Sequence, residues 1–254
     1  MAYRDGMFPP PPPIRPDKSL AAFFGLMRDK EDTSQVFKFS ANIAGLSMLP
    51  AFKRWMASRN GEILTGEDPT YILRALDDRA RLRELPVGTV GRTYAEFMDR
   101  ENLRTDGVSE AYHADGLITE EFKAAYPEYA AFIWFQNLTH DMYHVLTGYN
   151  RDSLGEAALL NYTTRISGAR GIRYLAALAS FRIKSEAPEI PVFKIMTNAR
   201  LMGERSADLI VTDFPALLDR PLREVREELN IVPDPVYAGL SQERLLSLVQ
   251  PQAA

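Results

Sequence analysis

In the stretch HDMYHVLTGYNRDSLGE, His140 to Glu156, two of the three histidines in the chain stand with an aspartate and a glutamate at spacings that suit one metal ion. On a helix, His140 and His144 project from one face a turn apart, close enough for both imidazoles to reach the same ion. Asp141 lies at the edge of that face. The chain has no cysteine, so an ion here takes imidazole, carboxylate or water. Gly148 is the expected stop of this helix and Asp152 or Ser153 the expected N-cap of the next, a short connection that favours an antiparallel helix pair. At about 1.5 Å per residue, His144 and Glu156 each stand roughly 6 Å from the turn, so Glu156 faces His144 across the hairpin. A second reading stays open: Ser153-x-x-Glu156 also spells a capping box, in which Glu156 serves only the backbone at the helix start.

The helix that must carry the histidines runs from about Tyr129 to Thr147. Its wheel is apolar over well over half the circumference, through Phe132, Trp134, Phe135, Leu138, Met142 and Leu146, which predicts burial. Ile133, Gln136, Asn137, His140, Asp141 and His144 fill the remaining arc. A buried polar group without a partner costs about 1 to 3 kcal/mol, and a metal or a polar ligand supplies partners. After the site, Glu156 to about Ile183 reads as one long helix with Gly168 and Gly171 in its interior. Glycine there costs up to about 1 kcal/mol relative to alanine, and close approach by another helix is the expected reason. Arg151, Arg170 and Arg173 are candidates to meet an anionic head group, with ordinary surface arginine as the competing reading.

Upstream, helical spacing runs over Leu20 to Arg28 and Ser34 to Ala57, with Pro50 a kink or break and Gly61 the end of the region. Another helix is expected from Pro69 to Arg83. Within Leu85 to Leu103 a loop with paired glycines feeds a helix that places Tyr94, Phe97 and Met98 on one face. Thr105 to Tyr129, which includes His113, has no strong periodicity. Downstream, helices are expected at Pro191 to Glu204 and Leu222 to Leu229. Five consecutive prolines, Pro9 to Pro13, predict an extended N-terminal segment. The expected fold is all-α: a flexible proline-rich arm over 1–17, then a single multi-helix domain over 18–254 with a central buried antiparallel helix pair carrying the metal site.

Composition narrows the function classes. A length of 254 residues with 46% hydrophobic content provides for a substantial core. A net charge of −4, with no basic stripe interleaved with aromatics, argues against nucleic acid as a partner. The longest nearly apolar runs, such as Ile43 to Phe52, fall short of the roughly 20 residues a bilayer span needs. The N-terminus has proline where a signal peptide needs an apolar helix and lacks the arginine-rich pattern of a mitochondrial presequence, so a bacterial cytoplasmic protein is expected. The chain has no P-loop, no GxSxG elbow and no Rossmann fingerprint.

Three chemistries share an HD or H-x-x-x-H core. A zincin protease needs glutamate directly after the first histidine, where this chain has Asp141. An HD-type metal phosphohydrolase would add an upstream histidine and a distant aspartate to His140-Asp141, for which His113 with Asp208 or Asp213 could serve, but it leaves His144 and Glu156 idle. The third uses all four residues. HD-x-x-H, eleven residues, then E, with LTGY at Leu146 to Tyr149, resembles the signature of the fourth Coq protein family of ubiquinone (coenzyme Q) biosynthesis. The resemblance extends to LPVGTVGRTYAEFM (Leu85 to Met98) and PLREVREELNI (Pro221 to Ile231), and so covers most of the chain after the polyproline segment. The chain departs from the pattern in its proline-rich start and at Asp213-Phe214.

The resemblance implies an all-helical, membrane-associated protein that handles a polyprenylated quinone precursor. It implies a divalent metal, zinc or iron, held by His140, Asp141, His144 and Glu156, which are then also the residues that carry the chemistry. Two roles follow from it: oxidative decarboxylation at ring carbon one of a prenylated hydroxybenzoate-type precursor, and organisation of other quinone-biosynthesis enzymes. A non-catalytic isoprenoid-lipid-binding scaffold is the rival from another class. Met98, Phe97, Met142, Trp134 and Met196 are candidates to line a slot for the tail, with ordinary core as the plainer reading of each. Expected partners are the polyprenyl quinone precursor, other enzymes of the pathway, a second copy of the chain in a homodimer, and the cytoplasmic face of the inner membrane, touched peripherally.

Overall fold

The computed structural model describes residues 2–11, 13–28, 34–105, 107 and 118–248. In chain order the helices are α1 (Pro16–Arg28), α2 (Ser34–Ala41), α3 (Leu49–Met56), α4 (Arg59–Glu62), α5 (Tyr71–Asp77), α6 (Arg79–Glu84), α7 (Val90–Arg100), α8 (Glu120–Ala125), α9 (Pro127–Thr147), α10 (Ser153–Ser167), α11 (Arg170–Glu186), α12 (Val192–Arg205), α13 (Leu222–Glu228), α14 (Pro235–Ala238) and α15 (Gln242–Ser247). A π turn over Ile63–Glu67 and a 3-10 turn over Pro215–Leu217 complete the set. No strand occurs among the described residues, as the all-α expectation requires. They divide into two compact units, one formed from 1–11, 48–146 and 208–229, the other from 12–47, 147–207 and 230–254.

The first unit is built on aromatic packing between α3 and α9. Phe52 and Trp55 are fully buried, and each ring centroid lies 5.5 Å from that of Phe132. The N-terminal segment joins this cluster, with Phe8 4.6 Å from Tyr129 and Tyr3 6.0 Å from Phe52. Pro50 opens α3 rather than breaking it, because its missing N–H belongs to a helix start; the break falls earlier, over 42–48, where Gly45 takes φ +53°. The helix expected from Pro69 to Arg83 is two, divided at Asp78, whose carboxylate caps the Arg81 N–H. Gly61 does not end the region either: it lies inside α4, where a Cβ would stand 2.3 Å from the Trp55 carbonyl.

α7 shows how local sequence sets a helix start. Thr89 caps it by accepting from the Arg92 N–H, while the N–H groups of Val90 and Gly91 donate to the carbonyls of Arg220 and Leu218 at 2.9 and 2.8 Å. Gly91 suits the close approach there, since a Cβ would stand 3.0 Å from the Leu218 carbonyl oxygen.

In the second unit, α10 packs on α11 and α12, and α1 and α2 pack together beside α11. The long helix expected from Glu156 to Ile183 is two helices. Gly168 interrupts it at φ +73°, its N–H donating to the Thr164 carbonyl to close α10. Gly171 lies just inside α11 and meets the close approach foreseen for it: a Cβ would stand 2.5 Å from the Ser40 Cα of α2. Arg170 is occupied structurally, its Nε donating to the Ile43 carbonyl at 2.9 Å.

Candidate metal centre

The site is carried by the C-terminal half of α9, where every residue from Leu138 to Thr147 is buried except His140, which is half-buried. One donor atom from each of His140, Asp141 and His144 lies within 4.8 Å of the others. The two imidazole centroids are 5.1 Å apart with their planes at 88°. Nitrogen and oxygen donors bind zinc at about 2.0 to 2.2 Å, so two ligands on one ion stand at most about 4.4 Å apart. Two imidazoles and a carboxylate also suit iron with open positions, so the residues present fit either metal named by the resemblance.

The surroundings of this triad come from the two flanking stretches of the resemblance. From α7, Phe97 stacks on His144 with centroids 5.3 Å apart and planes 22° apart. Tyr94, fully buried on the same helix, has its phenol pushed above its ordinary value by burial and then by the Asp141 carboxylate, so the two groups lie within electrostatic reach. From α13, Arg226 donates to the carbonyls of Leu146 and Val145 at 2.8 and 2.9 Å. It thereby satisfies the end of α9 one turn past His144. Burial pulls this guanidinium below its ordinary value. The sequence puts Tyr94 and Phe97 on one face, Phe97 as a candidate for the tail slot, and carries Arg226 within PLREVREELNI, but by itself assigns none of the three to the metal centre. The signal was there in their membership of the two stretches that accompany the central motif.

Glu156 belongs to the second unit, in the first turn of α10, with its Oε1 4.0 Å from Arg151 Nε. The turn before it is tightly held. α9 stops at Gly148, φ +81°, and Asp152 caps α10 by accepting from the N–H groups of Leu154 and Gly155. Ser153 is therefore inside the helix, its hydroxyl donating to the Leu248 carbonyl at 3.2 Å, and the capping box drawn with Ser153 as N-cap does not form. Tyr237 of α14 donates to the other Asp152 oxygen and accepts from the Asn150 N–H at 3.0 Å. Gly155 is obligatory here, because a Cβ would stand 2.1 Å from the Asn150 carbonyl oxygen.

The residues drafted for a phosphohydrolase have other partners. Asp208 pairs with Arg54 at 2.6 Å, and Asp213 accepts from the Tyr71 hydroxyl at 3.2 Å. His113 lies outside the described residues. Of the apolar candidates for a lipid slot, Phe97, Met98, Met142 and Met196 are buried and Trp134 is half-buried.

Comparison with known proteins gives these stretches a context. The model of the family described as "Coenzyme Q (ubiquinone) biosynthesis protein Coq4" matches residues 19–235. The mitochondrial ubiquinone biosynthesis protein COQ4 of Yarrowia lipolytica is 28% identical over 177 residues, 69% of this chain and 63% of the relative. The corresponding protein of Aspergillus niger is 33% identical over 59% of this chain and 48% of its own length. The chain thus spans about half to two thirds of these fungal relatives. The Bos taurus homologue is 23% identical across 92% of this chain and 93% of its own. A crystal structure from Nostoc punctiforme shares the fold, with a TM-score of 0.59 at 21% identity over 84% of this chain and 96% of that one. With its family model matched over most of its length, and with the HD-x-x-H motif on a buried helix, the chain belongs to the Coq4 family of coenzyme Q (ubiquinone) biosynthesis proteins.

Proposed function

We propose that the protein acts on a polyprenylated hydroxybenzoate-type quinone precursor at a divalent metal held by His140, Asp141 and His144, with Glu156 the fourth ligand that the resemblance implies. The observation that carries this reading is the mutual approach of three donors within 4.8 Å on a buried helix of a Coq4-family chain. When bound, the ion supplies Lewis acidity toward a ring carboxylate or phenolate and, if it is iron, access to oxidative decarboxylation at ring carbon one. The chain's own residues do the rest. Asp141 and His144 are buried, His144 under the Phe97 ring, which keeps bulk water from the donors. Half-buried His140 is the donor on the side open to an incoming ring.

Contact with a membrane is peripheral on this reading. Among the described residues no helix is long and apolar enough to cross a bilayer. The second unit nevertheless exposes Leu20 and Phe24 on α1, Phe181 on α11 and Phe193 on α12, the last two with rings 5.3 Å apart. These same side chains support the rival reading of a lipid-binding scaffold that organises pathway enzymes.

Elemental mass spectrometry on untagged protein, with lipid extracted from the same sample, separates the two. Near-stoichiometric zinc or iron in the wild type, lost in His144→Ala and reduced in Glu156→Ala, is the expected result. Absence of metal from all three, with isoprenoid lipid present, sinks the metal reading and favours the scaffold.

A further inference from the structure

α7 gives the metal centre more than core volume. Phe97 is 4% exposed and His144 2%, and their rings are stacked at 22°. His140 meets the same imidazole edge-on at 88°. An imidazole donates to a metal in its own ring plane, so the orientation of that plane decides whether a ring nitrogen reaches the ion. The terminal torsion of histidine is broad and about two-fold, and backbone alone does not define it. A flat aromatic face lying parallel to the imidazole narrows it; an aliphatic chain of similar bulk does not.

We propose that Phe97 is a positioning residue of the metal centre: its ring face holds the His144 imidazole in the plane from which a ring nitrogen reaches the ion shared with His140 and Asp141. This rests on the metal reading above and adds to it a residue that touches neither metal nor substrate. The bulk of Phe97 serves the core, and its flatness serves the site.

The test is a Co2+ titration of metal-free protein, followed by visible absorption, which reports ligand geometry as well as affinity. Wild type is compared with Phe97→Leu, Phe97→Tyr and His144→Ala, and with Val90→Ala as a cavity in the core on the same helix. Groups that act through a metal ligand alter affinity by about ten- to a hundred-fold, so Phe97→Leu should weaken Co2+ binding by about tenfold or more and change the band shape. Phe97→Tyr, which keeps the flat face, should stay within about twofold, as should Val90→Ala despite its lower melting temperature. Wild-type affinity and spectrum in Phe97→Leu overturn the proposal, as does equal weakening in Val90→Ala. Should Phe97→Leu fail to fold, Phe97→Met decides by the same two readouts. The metal reading itself fails in a different way: wild type and His144→Ala then take up Co2+ alike, or neither takes it up.

Discussion

Asp152 shows how one buried carboxyl can hold the turn between α9 and α10 in place. Burial raises it above its ordinary value, against the hydrogen bonds from Tyr237, Gly155 and Leu154 that favour the charged form. A carboxyl with a raised value in the folded chain binds its proton more tightly there than when unfolded. Its contribution to stability is therefore fully present below the ordinary value of 3.8 and is lost as the pH rises through the folded value. Asp152→Asn keeps a capping oxygen and removes the titration. Thermal melts from about pH 4 to about pH 7 should show the wild type losing stability relative to this variant as the pH rises. A gap that does not change with pH would refute the assignment. Tyr237 belongs to the same unit of chemistry, its phenol pushed up by burial and then by Asp152. Tyr237→Phe leaves one Asp152 oxygen and the Asn150 N–H to find other partners, at a cost of about 1 to 3 kcal/mol, measurable by urea unfolding.

At the scale of elements, glycines decide where helices stop and how near they come. Gly168 sits at φ +73° with the Ser47 carbonyl 2.8 Å from where a Cβ would be, so Gly168→Ala combines left-handed strain with a clash and should cost about 1 to 2 kcal/mol or more. Gly171→Ala would press a methyl against the Ser40 backbone, an overpacking that costs about 1 to 3 kcal/mol. Denaturant titration of the two variants checks both values, and a neutral Gly171→Ala would show that α2 is free to yield. At the end of α9, Arg226→Met keeps the aliphatic stem but removes the donors to Val145 and Leu146. Loss of about 1 to 3 kcal/mol, with faster hydrogen exchange confined to the last turn of α9, is expected.

For the molecule as a whole, the proposed chemistry and the rival scaffold predict different phenotypes in cells. In a strain that depends on this protein for quinone, His140→Ala and Glu156→Ala should abolish production while still copurifying with pathway enzymes. Undiminished quinone in both variants would leave only the scaffold. On the peripheral reading proposed above, membrane-bound protein should be released by alkaline carbonate without detergent, and retention in the pellet would overturn that reading. Replacing Phe24 and Phe181 by serine should shift the protein toward the soluble fraction, and an unchanged distribution would place the contact elsewhere.

The sequence by itself determined what depends on near neighbours in the chain. Helical periodicity made the fold all-α, the i and i+4 histidines put two donors on one face, and Gly148 and Asp152 marked the stop and the start around the turn, since caps and stops are local backbone chemistry. The limits of this reading appear where a local rule has two outcomes. A glycine inside a periodic run either admits a close neighbour, as Gly171 does, or ends the helix, as Gly168 does; only the Ser40 and Ser47 backbones beside them settle which. Pro50 likewise reads as a break until the turn before it shows that it begins α3. Which residues of the two flanking stretches meet the triad, and how, was decided by tertiary structure. Phe97 comes to His144 from 47 residues upstream and Arg226 to the end of α9 from 80 residues downstream, and contacts between such distant positions carry no periodicity that a single chain displays.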